Sequence, residues 1–173
     1  MQDIAYEPKS VFTIGRCLAR LCRYAGSAPF FYSVFQHSLV CALLVPPPLR
    51  IHAACHDISE AWTQDVVSLY KREGFRQQEH ELLEKFYKAE NLTLPTAEEH
   101  KIIKEADKRC LIGEIWVGAG EYRLREQYPD RDREAEDLTA KFLRDWPGRR
   151  LVETDQAGFY FEELFHEYKG KLK

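Results

Sequence analysis

This sequence lacks an apolar run of about 18 residues, the length that a helix needs to cross a bilayer. Its first ten residues, MQDIAYEPKS, lack both the charged start and the apolar core of a secretory signal. These two absences predict a cytoplasmic protein that does not associate with a membrane.

The sequence also lacks an excess of basic residues. It has 25 Lys and Arg against 28 Asp and Glu, for a net charge of −3. A protein that neutralises a phosphate backbone needs clustered positive charge. We therefore expect no stable binding to nucleic acid.

Cysteine pairs with zinc-finger spacing are absent too. The chain has 5 cysteines, an odd number, and none of them forms a CxxC pair. They are scattered through apolar segments, which is typical of reduced thiols in a core. This pattern argues against a structural zinc site made of cysteines.

Glycine and proline are scarce, at 9 and 8 residues, and they separate segments with helical apolar spacing. The chain is therefore predicted to be all-α, a single domain over residues 1–173 with about six to eight helices. Thr96 and Glu99 have the spacing of a capping box at a helix start. The predicted helices cover 11–23, 34–45, 49–62, 76–90, a long segment from Thr96 to about 118, 131–145 and 156–169.

The residues that point most clearly to chemistry are His56 and Asp57, together with His37 upstream and Asp107 downstream. Imidazole suits Zn²⁺ and Co²⁺, while carboxylate suits Mg²⁺ and Mn²⁺, so this set can hold one divalent ion. Such an ion activates water for attack. Glu60, four residues after His56, would lie on the same helix face and could transfer protons.

Simpler interpretations exist for several of these residues. A His-Asp dipeptide alone is more typical of a surface pair than of a metal site. His52 and His56 form an HxxxH pair that could bind a second ion. The aromatic cluster of Phe30, Phe31, Tyr32 and Phe35 favours core packing over stacking on a base.

Three segments, FYSVFQHSLV, HDISEAWTQDVV and KEADKRCLIGE, resemble the HD-domain phosphohydrolase superfamily. The similarity is strongest to its compact bacterial and phage branch of 5′-deoxynucleotidases and dATP triphosphohydrolases, and it covers about residues 18–114. It implies an HD-type helical bundle with one divalent ion (Co²⁺, Mn²⁺, Mg²⁺ or Zn²⁺) bound by His37, His56, Asp57 and Asp107. It also implies a cytoplasmic location, in the host if the gene belongs to a phage.

The resemblance further implies catalytic roles for Glu60, which would activate water, and for Asp65 near the phosphate. It assigns phosphate contacts to Arg23 and Lys71, although Lys71 also fits a solvated loop residue. Tyr24 stands where relatives carry a tryptophan beside the sugar, so selectivity for deoxyribose is open, and core packing is its alternative. Trp62 lies where a base or sugar could rest.

The implied activity is metal-dependent hydrolysis of deoxynucleotides at the 5′-phosphate. The small size and phage-like resemblance favour a dNTP triphosphohydrolase, of the dATP type, that releases deoxynucleoside and triphosphate. The alternatives are a 5′-deoxynucleotidase acting on dNMPs, a cyclic or oligonucleotide phosphodiesterase, and a nucleotide-binding module without turnover. Apolar residues near 111–117 predict a homo-oligomer.

Overall fold

The computed structural model describes residues 8–66, 71–118, 122–145 and 151–171. In these residues the protein is all-α, with eight α-helices and no β-strand, as the sequence predicts for a helical bundle. Short 3₁₀ helices occur at Arg23–Gly26, Pro47–Leu49 and Tyr122–Glu126. The α-helices are α1 (Val11–Arg20), α2 (Val34–Leu43), α3 (Arg50–Ala54), α4 (Glu60–Thr63), α5 (Glu73–Ala89), α6 (Ala97–Val117), α7 (Arg133–Asp145) and α8 (Leu151–Lys171).

Helix α2 lies at the centre of the bundle. Its sequence is apolar on nearly every side, and a helix of that kind must be surrounded by other elements. Its residues from Val34 to Ala42 are all buried, and it contacts α1, α3, α6 and α7. His37 therefore sits in the interior of the protein, although its side chain is polar.

Small residues allow two pairs of helices to approach closely. A side chain at Gly113 in α6 would place its first carbon 2.6 Å from the carbonyl carbon of Ala135 in α7. A side chain at Gly15 in α1 would likewise place its first carbon 2.8 Å from the carbonyl oxygen of Ala157 in α8. These contacts bring α7 against α6 and α8 against α1.

Capping boxes fix the start of two helices that carry the site. The predicted box of Thr96 and Glu99 is confirmed at the start of α6, with Thr96 N donating to Glu99 Oε2 over 2.8 Å. A second box, Ser33 and Gln36, begins α2, and the pattern Ser-x-x-Gln in the sequence signals it. Gln36 Nε2 also donates to the carbonyl oxygen of Phe142 at 3.1 Å, which ties α2 to α7.

The prediction of one helix over 49–62 is wrong. Helix α3 ends at Ala54, α4 begins at Glu60, and residues 55–59 form consecutive tight turns. In these turns Ile58 N donates to Cys55 O and Glu60 N donates to Asp57 O, three residues back rather than four. The tighter winding brings neighbouring side chains to one side of the backbone. The other predicted helices differ from the observed ones by a few residues at their ends.

The predictions about the core are confirmed in part. The five cysteines are free thiols, of which Cys41, Cys55 and Cys110 are buried and Cys17 and Cys22 are half-buried. Tyr32 and Phe35 are fully buried, whereas Phe30 and Phe31 are half-buried. Among the described helices, none is both long and apolar enough to span a membrane.

Candidate metal centre

The four predicted ligands come together from three elements. His37 comes from α2, His56 and Asp57 from the turns after α3, and Asp107 from α6. His37 Nε2 lies 3.2 Å from both His56 Nε2 and Asp107 Oδ1. Asp57 Oδ2 lies 3.1 Å from His56 Nε2 and 3.6 Å from His37 Nε2. We call these four residues the ligand cluster.

The distances within the ligand cluster fit a shared ion. Nitrogen and oxygen ligands at about 2.1 Å from one ion lie about 3.0 Å apart at right angles and about 3.4 Å apart at tetrahedral angles. The five separations that involve the ring nitrogens of His37 and His56 run from 3.1 to 3.6 Å, including 3.6 Å between His56 Nε2 and Asp107 Oδ1. His37, His56 and Asp107, but not Asp57, belong to a group of donor atoms that all lie within 4.8 Å of one another. His37 and His56 form the buried side, while the carboxylates of Asp57 and Asp107 are 20% and 30% exposed.

Both imidazole rings present the correct nitrogen to the cluster. His56 Nδ1 lies 2.7 Å from the carbonyl oxygen of Ala53, and since a carbonyl only accepts, Nδ1 must carry the proton. His37 Nδ1 lies 2.6 Å from Glu114 Oε1 and donates to it. The Nε2 atoms therefore face the ligand cluster, which is how metal-binding histidines are usually held.

Glu114 lies behind His37 in the candidate site, and the sequence-based predictions do not single it out. It is completely buried in α6, and it accepts hydrogen bonds from Arg23 Nη2 at 3.2 Å and from the Tyr24 hydroxyl. Burial raises the pKa of its carboxyl, but Arg23 and His37 outweigh burial and bring the pKa down to about 2. Its spacing from Asp107, seven residues or two helical turns, is the signal that places both on one face of α6.

The carboxylates give the ligand cluster an attraction for positive charge. Burial by itself lowers the pKa of His56, but the carboxylates of Asp57 and Asp107 raise it to about 9. The pKa of His37 is also raised, because nearby Cys110, Glu114 and Asp107 outweigh burial and Arg23. Such a set of neighbouring carboxylates and imidazoles could hold a metal ion.

Glu60 lies beside the ligand cluster at the start of α4, and its side chain is 4% exposed. Burial, together with the charges of Asp57 and Asp65, raises its pKa to about 8. Oε1 lies 3.5 Å from Lys71 Nζ, while Oε2 has no hydrogen-bond partner among the described residues.

Asp65 is half-buried. Lys71 also pairs with Glu79 at 2.8 Å and is 13% exposed, so its interpretation as a solvated loop residue is wrong.

The predicted substrate-binding residues lie at different depths. Arg23 connects Glu114 to the ligand cluster, with Nη1 3.7 Å from Asp57 Oδ2, and its Nε has no partner among the described residues. Tyr24 has a left-handed backbone, with φ of 57°, and its hydroxyl bonds to Glu114, so it is held by the site rather than packed in the apolar core. Trp62 is half-buried with Lys9 Nζ 5.0 Å from its ring centre.

His52 does not join the ligand cluster. Its Nδ1 lies 3.0 Å from the Tyr87 hydroxyl and its Nε2 lies 3.2 Å from the Tyr168 hydroxyl. It lines a separate cavity of about 600 Å³ between α2, α3 and α8. Both ring nitrogens are thus occupied by tyrosines, and the structure gives no support to a second metal bound by His52 and His56.

No protein-family model matches this chain. The chain is similar to YfdR, an uncharacterised protein of Escherichia coli strain K12, with 44% identity over 55 residues. The match covers 32% of this chain and 31% of YfdR, so the chain spans about a third of the relative it matches. The name of that relative specifies no activity, and the function must be argued from the site itself.

Proposed function

We propose that this protein is a metal-dependent phosphohydrolase of the HD type that acts on deoxynucleotides. The proposal is supported by the ligand cluster together with two buried polar atoms that lack partners beside it, Glu60 Oε2 and Arg23 Nε. Buried polar groups are almost always hydrogen-bonded in proteins. Glu60 Oε2 can accept or donate a proton, and the cationic Arg23 Nε can donate a hydrogen bond. Two such unpaired atoms beside a candidate cation site are expected if they bind a substrate phosphate and a water molecule.

In this proposal, separate residues bind the ion, transfer protons and neutralise phosphate charge. His37, His56, Asp57 and Asp107 would hold the ion, which supplies Lewis acidity to the phosphoryl group and lowers the pKa of water. Glu60, with a pKa of about 8, holds or accepts a proton near neutral pH. Arg23 and Lys71 place positive charge where phosphate charge must be neutralised. Asp65 helps to keep the proton on Glu60 through its negative charge.

The choice of substrate rests on the sequence resemblance. We infer a deoxynucleoside triphosphate, of the dATP type, cleaved to deoxynucleoside and triphosphate. The second candidate is a 5′-deoxynucleotidase that releases phosphate from dNMPs, and the same residues would serve it. A phosphodiesterase that needs a second ion is less well supported, because His52 is bonded to two tyrosines. We also propose that the protein works in the cytoplasm as a homo-oligomer.

A product assay tests the proposal. Metal-stripped protein is refilled separately with Co²⁺, Mn²⁺, Mg²⁺ and Zn²⁺ and incubated with each dNMP and dNTP. We expect triphosphate release from one dNTP, and loss of this activity in Asp57→Asn. The matched control is Asp137→Asn, which removes an exposed carboxylate on α7 outside the ligand cluster. It should retain full activity.

Each outcome of this assay separates two candidates. Phosphate release from dNMPs alone would establish the 5′-deoxynucleotidase instead. Bound metal without hydrolysis of any nucleotide would indicate a binding module without turnover. Equal activity in Asp57→Asn and the unmutated protein would contradict the assignment of the ligand cluster as the catalytic centre.

A further inference from the structure

A thiol lies beside the ligand cluster on its buried side. Cys41 follows His37 by four residues in α2, and side chains with this spacing lie on one face of a helix. Helical side chains lean towards the N-terminus, so the sulfur of Cys41 reaches back over the turn that holds His37. Its Sγ lies 3.7 Å from His37 Nε2, the nitrogen that faces the cluster.

Cys41 also belongs geometrically to the wider donor set. Its Sγ, ring nitrogens of His37 and His56, and a carboxylate oxygen of Asp107 all lie within 4.8 Å of one another. A thiolate at about 2.3 Å and an imidazole nitrogen at about 2.1 Å from one ion are separated by about 3.6 Å at the tetrahedral angle. The observed 3.7 Å matches this separation. An ion bound by His37 Nε2 is therefore within reach of the sulfur without movement of the helix.

The geometry points to Cys41 as an additional metal ligand, which makes this centre selective for Zn²⁺ or Co²⁺ over Mg²⁺ and Mn²⁺. This inference rests on the metal centre of the proposed function and deepens it. Thiolate is a soft ligand that favours zinc and cobalt, whereas magnesium and manganese prefer an all-oxygen set. On binding, the Cys41 S–H bond is replaced by a sulfur–metal bond, and the proton leaves to solvent.

A second buried thiol provides a matched control. Cys110 in α6 also contacts His37, but its Sγ lies 3.2 Å from Nδ1, the nitrogen that donates to Glu114. It lies 3.4 Å from Glu114 Oε1. Because Nδ1 faces away from the ligand cluster, Cys110 contacts the same ring from the opposite side, where His37, Cys110 and Glu114 form a second, fully buried group of donor atoms. Both thiols are fully buried, so Cys41→Ser and Cys110→Ser remove equivalent groups.

Cobalt substitution tests the inference without an activity measurement. Metal-stripped protein receives one equivalent of Co²⁺, and its absorption is recorded in the near-ultraviolet and visible ranges. We expect a thiolate-to-cobalt charge-transfer band in the unmutated protein and in Cys110→Ser. Cys41→Ser should lose this band while keeping the visible bands of bound Co²⁺. Its affinity for Zn²⁺ should fall by at least about 10- to 100-fold, the range for loss of a group that only orients a ligand, with a smaller change for Mn²⁺.

Two results would overturn the inference, and they are distinguishable. Bound Co²⁺ with visible bands but no charge-transfer band in the unmutated protein would exclude Cys41 and leave the metal centre intact. Failure to bind Co²⁺ at all would remove the proposed centre itself, and this inference with it. If Cys41→Ser does not fold, X-ray absorption of the zinc-loaded Cys110→Ser protein decides, because this variant lacks the other thiol beside His37. A sulfur neighbour at about 2.3 Å supports Cys41, and nitrogen and oxygen neighbours alone contradict it.

Discussion

Replacement of Glu114 by glutamine isolates one charge that the structure places behind His37. Glu114 Oε1 accepts the proton of His37 Nδ1 at 2.6 Å, and this bond holds the ring with Nε2 towards the ligand cluster. Glutamine keeps the shape and a carbonyl acceptor but removes the negative charge. The alanine variant removes both. The pair of variants therefore separates the orientation of His37 from its electrostatic support.

The size of the effect follows from the partners of Glu114. Loss of a group that orients a metal-binding histidine lowers metal affinity about 10- to 100-fold. We expect about tenfold for Glu114→Gln and about 100-fold for Glu114→Ala, or about 1.4 and 2.7 kcal/mol of binding free energy. Among the described residues, Arg23 would then keep Asp57 as its charged partner, at 3.7 Å. Breaking a buried pair of this kind reduces the free energy of unfolding by about 3–5 kcal/mol.

Isothermal titration with Zn²⁺ and unfolding in urea measure these two effects separately. Glu136→Gln is the matched control, because Glu136 in α7 is also buried and accepts hydrogen bonds from Arg131, one of them 2.9 Å long. It lies outside the groups that could hold a metal among the described residues. The control should lose stability but bind Zn²⁺ as the unmutated protein does.

A folded Glu114→Gln protein with unchanged Zn²⁺ affinity would refute this role of Glu114. Equally strong weakening of Zn²⁺ binding in Glu136→Gln would refute it too. The first result would mean that the charge of Glu114 does not support His37. The second would mean that any loss of stability in the bundle loosens the site.

Further predictions concern protons, catalysis, packing and assembly. Metal affinity should rise from about pH 6 to about pH 9, because His56, whose pKa is raised to about 9, holds a proton that the ion must displace. Proton release during metal titration measures this exchange. A metal affinity that does not change with pH would contradict it. Glu60→Gln should lower turnover about 100- to 10,000-fold with unchanged metal content. Gly113→Ala should lower the free energy of unfolding by about 1–3 kcal/mol in urea, because the new carbon would meet the Ala135 backbone at 2.6 Å. Sedimentation equilibrium should give a mass above the 20.3 kDa of one chain.

Local signals in the sequence identify most of the helical framework. Thr96 and Glu99 mark the start of α6 because a capping box is made within four residues. The scarcity of glycine and proline and the helical spacing of apolar residues predict the all-α class. The prediction of a continuous helix fails at residues 55–59. There the apolar pattern continues, but the backbone hydrogen bonds change from four-residue to three-residue spacing. The same residues contain His56, whose Nε2 lies 3.2 Å from His37 Nε2 in α2, a contact between distant segments that local sequence does not reveal.

By itself the sequence determined the types of candidate ligand and their order along the chain, His37, then His56 and Asp57, then Asp107. Only the tertiary structure decided which groups surround them, because α2, α6 and the turns after α3 converge through packing between distant segments. That packing brought in Glu114 and Cys41 and engaged both ring nitrogens of His52 with tyrosine hydroxyls. The physical reason is that ligand chemistry belongs to single side chains, whereas distances, burial and shifted pKa values arise only between segments brought together by the fold.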